Sequence, residues 1–211
     1  MSTVARRPAA PAASGAAAPP RSPAWVLTVG GAVGLLASFV LAVEKIALLK
    51  DPARTPSCSI NPVLSCGSVM TTPQAEVFGF PNPLLGIAGF AAVTAVGAVL
   101  LAGAVLPRWF WRALAAGTAA GAVFVHWLIF QSLYRIGALC PYCMAVWTVM
   151  IPIFWYTAVH VLTGGPLHLP ARLRGAARVA ADYHGVVLTC WYLVVAGLVA
   201  ERFWLYWSTL P

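Results

Sequence analysis

CPYCMAVWTVMIPIFWYTAVHVL, residues 140–162, decides how the rest of the chain is read. It opens with Cys140-Pro141-Tyr142-Cys143 and runs on as an apolar block. About 20 residues at about 1.5 Å rise cross a hydrocarbon core of about 30 Å, so the block is of spanning length. Pro141 suits the first helical position, because its missing N–H would find no intrahelical partner there. Cys140 is then the N-cap and Cys143 the third helical residue. Both thiols fall in the first turn, where unpaired N–H groups and the macrodipole favour an anion, so the thiolate is reached more easily than in a free cysteine. The pattern points to thiol–disulfide chemistry. Two structural cysteines, or half of a metal site, are the other readings that a C-x-x-C allows.

Composition extends the membrane reading to the whole chain. Of 211 residues, 61% are hydrophobic and only 9% charged, against a charged fraction of about 25% in soluble domains. The predicted architecture is an all-α integral membrane protein with five transmembrane helices, at about 23–45, 84–106, 113–134, 141–162 and 186–207. Residues 1–22, rich in Ala and Pro with Arg6, Arg7 and Arg21, show no apolar periodicity and read as a disordered tail. The first block exceeds a signal-peptide core of about 7–15 residues and no A-x-A site follows it, so it is read as a span. Glu44 and Lys45 close it at the interface. Gly86, Gly89, Gly97 and Gly103 in the second span, and Gly117 and Gly121 in the third, predict close helix packing.

Residues 50–83 form a long extramembrane loop with Cys58 and Cys66. Within it Thr71-Thr72-Pro73-Gln74 reads as a helix start and Phe78-Gly79 as its end, giving a short lid helix over 73–78. Five spans place the termini on opposite sides. Arg6, Arg7, Arg21, Arg108, Arg112, Arg172, Arg174 and Arg178 collect on one side, and Lys45, Lys50, Arg54, Arg135 and Arg202 on the other. The excess puts the N-terminus in the cytoplasm and Cys58, Cys66, Cys140 and Cys143 outside, in an inner or plasma membrane. Outside is oxidising, where a dithiol–disulfide couple works as an oxidant. Cys190, near the inner end of the fifth span, is expected to be a small buried apolar side chain. His126, midway along the third, is read as packing against a neighbouring helix, while Gln131 and Tyr134 are better placed to touch a pocket.

The order Cys58-x7-Cys66, Val69, Thr72, Phe78-Gly79-x-Pro81, Gly86 and a C-x-x-C opening the fourth span resembles the vitamin K epoxide reductase family in its bacterial form. The resemblance covers about residues 25–162. Gly67 departs from the acid common there, and Thr72 and Ala75 from serines. The family implies a four-helix bundle around a quinone, menaquinone or ubiquinone, with a fifth helix outside. It also implies that Cys143 lies nearest the quinone with Cys140 as its exchangeable partner, and that Cys58 and Cys66 form a shuttle pair. Asn82, Trp147, Leu85 and Phe78 are the implied quinone contacts. Asn82 at a helix start equally suits a cap, and Trp147 could face lipid. Bacterial relatives often carry a thioredoxin-like domain after the fifth span. Because this chain stops at Pro211, its electron donor is expected to be a separate extracytoplasmic thioredoxin-fold (DsbA-like) protein. The expected reaction is protein dithiol plus quinone giving protein disulfide plus quinol. A quinone-epoxide reductase of the vertebrate type shares the same cysteines and is the alternative. A four-thiolate zinc site is disfavoured by the wide C-x7-C spacing, and neither a metal nor a nucleic-acid partner is expected.

Overall fold

The computed structural model describes residues 21–164 and 170–208. The tail expected over 1–22 lies outside the described residues up to position 20. The chain is all-α, and among the described residues the only β pairing is one isolated parallel bridge between Leu64 and Leu139. Five helical segments are long and apolar enough to cross a membrane, so the protein is multi-pass.

Helix α1 (Arg21–Lys50) runs 30 residues, or about 45 Å. That exceeds the hydrocarbon core, and the helix continues past Glu44 and Lys45 where the sequence reading ended it. Glu and Lys are good helix formers. The stop comes at Asp51-Pro52, since proline disfavours the α conformation in the residue before it. Two short elements follow in the loop. Helix α2 (Cys66–Met70) is capped by Ser65, whose side chain accepts from the Ser68 N–H. A 3-10 turn over Pro73–Glu76 stands where the lid helix was expected, without a side-chain cap from Thr72. Thr72 instead donates to the Val69 carbonyl at 2.8 Å.

Helix α3 (Asn82–Leu101) ends five residues before the expected boundary. Gly103 takes φ +90°, donates to the Leu100 carbonyl, and Ala104 donates to that of Val99. This is the paired hydrogen-bond pattern of a glycine-terminated helix. Helix α4 (Arg108–Gln131) starts directly after Pro107 and continues as a π-turn over Ser132–Ile136, closed by Gly137 at φ +71°. Helix α5 (Pro141–Thr163) begins at the expected residue. The basic segment between the last two spans is itself helical, α6 (Ala171–Asp182). Its arginines disguised an amphipathic helix as a linker. Helix α7 (His184–Arg202) breaks at Phe203, and α8 (Trp204–Ser208) carries on the remainder of the expected fifth span.

Helix α1 packs between α3 and α5, and α4 lies on another face of α5. Where α1 meets α3, a Cβ at Gly97 would stand 2.5 Å from the Thr28 backbone nitrogen, and one at Gly86 would overlap the Ser38 hydroxyl. These two glycines set the approach of the helices, as small residues do in membranes. Gly89 and Gly117 face nothing within 4 Å, so they have no such role. Helix α7 buries none of its residues and lies peripherally. That placement corrects the expectation for Cys190, which is exposed on α7 rather than buried.

Candidate redox-active site

The site is assembled by the chain on either side of two cysteines. Asn61 Oδ1 accepts from the N–H groups of Val63 and Leu64, and Ile60 N–H donates to the Leu64 carbonyl. This compact turn brings the chain back beside its own start. The returning strand then meets the segment before α5, where Leu139 N–H donates to the Val63 carbonyl at 2.7 Å and Ser65 N–H to that of Leu139 at 2.8 Å. Ser65 and Leu139 are each followed by a cysteine, so the bridge carries Cys66 to Cys140.

Cys58 and Cys66 form a disulfide with Cα atoms 5.5 Å apart. Cys140 and Cys143 are free thiols. Cys140 is the N-cap of α5 with extended backbone angles, and Pro141 stands at the first turn, as the sequence predicts. The Cys66 and Cys140 Sγ atoms are 3.1 Å apart. Cys58, Cys66 and Cys140 are all nearly inaccessible and pack with Leu41 and Met70; Val69, Tyr142 and Cys143 adjoin them. A hydrogen bond with the Cys143 thiol holds the Cys140 thiol below its ordinary range, and backbone N–H groups of Cys143 and Tyr142 add to this against the opposing effect of burial. The arrangement is a disulfide with a third, activated sulfur touching one of its atoms, which is the geometry of thiol–disulfide exchange. The Sγ atoms of Cys58, Cys66 and Cys140 lie within 4.8 Å of one another. Two of them are bonded together, so in this state they offer no thiolates for the tetrathiolate alternative.

The chain belongs to the vitamin K epoxide reductase family. The profile of that family, described as Vitamin K epoxide reductase family, matches residues 25–158 of the 211. No curated protein matches the chain. Membership of the vitamin K epoxide reductase family and the adjoining cysteines together make this a membrane-bound thiol redox enzyme.

The residues that the family resemblance picked out as quinone contacts are not gathered in one cavity. Trp147 is buried and lines an apolar cavity of about 550 Å³ between α5 and α7, with Met144, Thr148, Ile151, Tyr192 and Val195 among its walls. Asn82, Leu85 and Phe78 do not line it. Asn82 ties down the loop: its Nδ2 donates to the Gln74 carbonyl at 2.7 Å and its Oδ1 accepts from Val77 N–H at 3.2 Å. Leu85 lies exposed on α3, and Phe78 is exposed with its ring 6.0 Å from that of Phe124 on α4. Gln131 has a buried Oε1 with no hydrogen-bond partner, while Tyr134 is half exposed. His126 sits 2.7 Å by Nδ1 from the Ala122 carbonyl, and Trp191 Nε1 donates to its Nε2 at 2.9 Å. It therefore pins α7 to α4, the packing role expected of it.

Sequence reasoning missed Glu44 and Lys45 as parts of the site. Ser57 Oγ donates to Glu44 Oε1 at 2.6 Å, and Lys45 Nζ donates to the Met70 carbonyl at 2.7 Å. An acid and a base side by side at the end of a span read as an interface anchor. The signal that could have found them is the helix-compatible stretch continuing to Asp51-Pro52.

Proposed function

We propose that this enzyme oxidises an extracytoplasmic dithiol protein of thioredoxin fold and passes the electrons to membrane quinone, supporting disulfide-bond formation. The 3.1 Å contact between Cys66 and Cys140 supports the reading more than any other observation. On this reading the N-terminus is cytoplasmic and the four paired cysteines face outward, following the distribution of Lys and Arg.

The steps are exchanges of sulfur for sulfur. A donor thiolate attacks Cys58; the Cys58–Cys66 bond breaks and Cys66 leaves as a thiolate. The donor's second thiolate attacks its own sulfur in the mixed disulfide, so the donor departs oxidised and Cys58 is left as a thiol. Cys66 then attacks Cys140 of a Cys140–Cys143 disulfide, forming Cys66–Cys140 and releasing the Cys143 thiolate. Cys58 attacks Cys66 in turn, which restores Cys58–Cys66 and leaves Cys140 and Cys143 reduced. That product is the redox state described above. Quinone, when bound, accepts two electrons and two protons and returns Cys140 and Cys143 to a disulfide. The cavity beside Trp147, one turn beyond Cys143, falls within the usual range of about 300–1,000 Å³ for small-molecule sites. Trp147 is the proposed contact in that cavity; Asn82, Leu85 and Phe78 stand outside it and are proposed contacts on the family resemblance, Asn82 retaining one amide hydrogen beyond its bond to Gln74.

The test is turnover in proteoliposomes containing quinone and a reduced thioredoxin-fold protein. Quinol should form together with donor disulfide, and Cys66→Ser or Cys140→Ser should abolish it. Quinol formation that survives Cys66→Ser contradicts the relay. Reduction of a quinone epoxide in preference to quinone assigns the vertebrate-type reaction instead.

A further inference from the structure

We infer that Lys45 is a positioning residue that holds Cys66 against Cys140 whenever the Cys58–Cys66 disulfide is open. The inference rests on the proposed relay, in which that disulfide opens in every cycle. While it is closed, Cys58 tethers Cys66. Once open, Cys66 depends on its own short helix, and α2 has five residues, far below the roughly 12–15 needed for marginal stability in isolation. Both of its ends must therefore be held from outside. At the N-terminal end the hold is the Leu64–Leu139 bridge and the Ser65 cap. At the C-terminal end it is Lys45.

The lysine is built for this. Lys45 is 7% exposed, unlike a lysine whose ammonium merely escapes to water at the end of a span. Nζ donates to the carbonyl of Met70, the last residue of α2, and pairs with Glu76 Oε1 of the 3-10 turn at 2.8 Å. A cation at a helix C-terminus complements the unpaired carbonyls there. Lys45 itself stands on α1, whose continuation to Lys50 makes a firm post above the bilayer. The neighbouring Glu44 takes the other arm of the loop by accepting from Ser57, the residue before Cys58, with Arg54 facing its second oxygen at 3.7 Å. Adjacent opposite charges thus hold the two cysteine arms separately. Opening the disulfide frees Cys58 to meet a donor without letting Cys66 leave Cys140.

The experiment uses full-length protein in which Cys58→Ser, Cys143→Ala and Cys190→Ser leave Cys66 and Cys140 as the only thiols. Equilibration with oxidised and reduced glutathione gives the constant for two protein thiols plus glutathione disulfide forming Cys66–Cys140 plus two glutathione thiols. Lys45→Met should lower this constant at least about tenfold, equivalent to about 1.4 kcal/mol, and Lys45→Arg should restore most of it. Glu76→Gln, on an exposed partner, should lower it about threefold. The constant for Cys58–Cys66, measured with Cys140, Cys143 and Cys190 replaced, should stay near the wild-type value in Lys45→Met. A constant for Cys66–Cys140 that does not change in Lys45→Met overturns the inference, as does an equal fall in both constants. If Lys45→Met fails to fold, Glu76→Gln decides, and no change there overturns it. Neither quinone nor donor protein enters this assay, so loss of the proposed activity and loss of the Lys45 effect are separate results.

Discussion

Cys140 takes its reactivity from the residue one turn further on. The Cys143 hydrogen bond is the largest cause of its lowered thiol pKa, with two backbone N–H groups helping and burial opposing. The thiolate, and with it the exchange rate, therefore appears at a lower pH than for a free cysteine. The linkage runs the same way. A depressed folded-state value stabilises the reduced fold above the unfolded thiol pKa, and that contribution is lost as pH falls through the folded one. In a variant retaining only Cys140 and Cys143, the Cys140 thiolate should appear in the absorbance titration below the ordinary thiol range. Cys143→Ala should move the Cys140 titration upward, and an unchanged midpoint would remove the hydrogen bond as the cause. The cysteines and their place at a helix start were legible in the sequence because proline and spacing fix them locally. The partners of Glu44, Lys45 and Asn82 were not, because each bond joins parts of the chain whose proximity only the folded loop creates.

At the level of elements, the spans were readable from apolar block length, and the errors fell where another stop signal outweighed hydropathy. Charge at Glu44 suggests an end to α1, but the helix runs on to Lys50, just before Asp51-Pro52. The apolar residues after α3 suggest a longer span, but Gly103 closes the helix. Glycine number likewise did not tell which glycines pack. Gly97→Ala should destabilise the protein by about 1–3 kcal/mol, since its Cβ would meet the Thr28 backbone and force the helices apart. Gly117→Ala faces open space and should be neutral or gain up to about 1 kcal/mol from helix propensity. Thermal unfolding in detergent compares the two, and equal melting temperatures would show that α1 and α3 do not depend on that contact.

Across the whole molecule, the fifth spanning helix is held by few specific bonds. Trp191 donates to His126, Tyr192 to the Thr148 carbonyl, and Arg202 Nε to the Leu133 carbonyl at the π-turn that leads into Cys140. Trp191→Phe should loosen α7 and lower the melting temperature in detergent while leaving the Cys58–Cys66 disulfide in place. An unchanged melting temperature would show that His126 does not hold the helix. An impermeant reagent added outside intact cells after reduction should reach Cys58, which opening of the disulfide frees. Labelling of Cys58 only from the cytoplasmic side would reverse the orientation drawn from Lys and Arg. On the proposed relay electrons cross between the two cysteine pairs at the Cys66–Cys140 contact, and peptide mapping of the Cys143→Ala protein is the test. Without Cys143 as resolving thiol, Cys140 attack on Cys66 should yield a Cys66–Cys140 disulfide with Cys58 as the released thiol. Recovery of Cys58 joined to Cys140, with Cys66 free, would contradict the account.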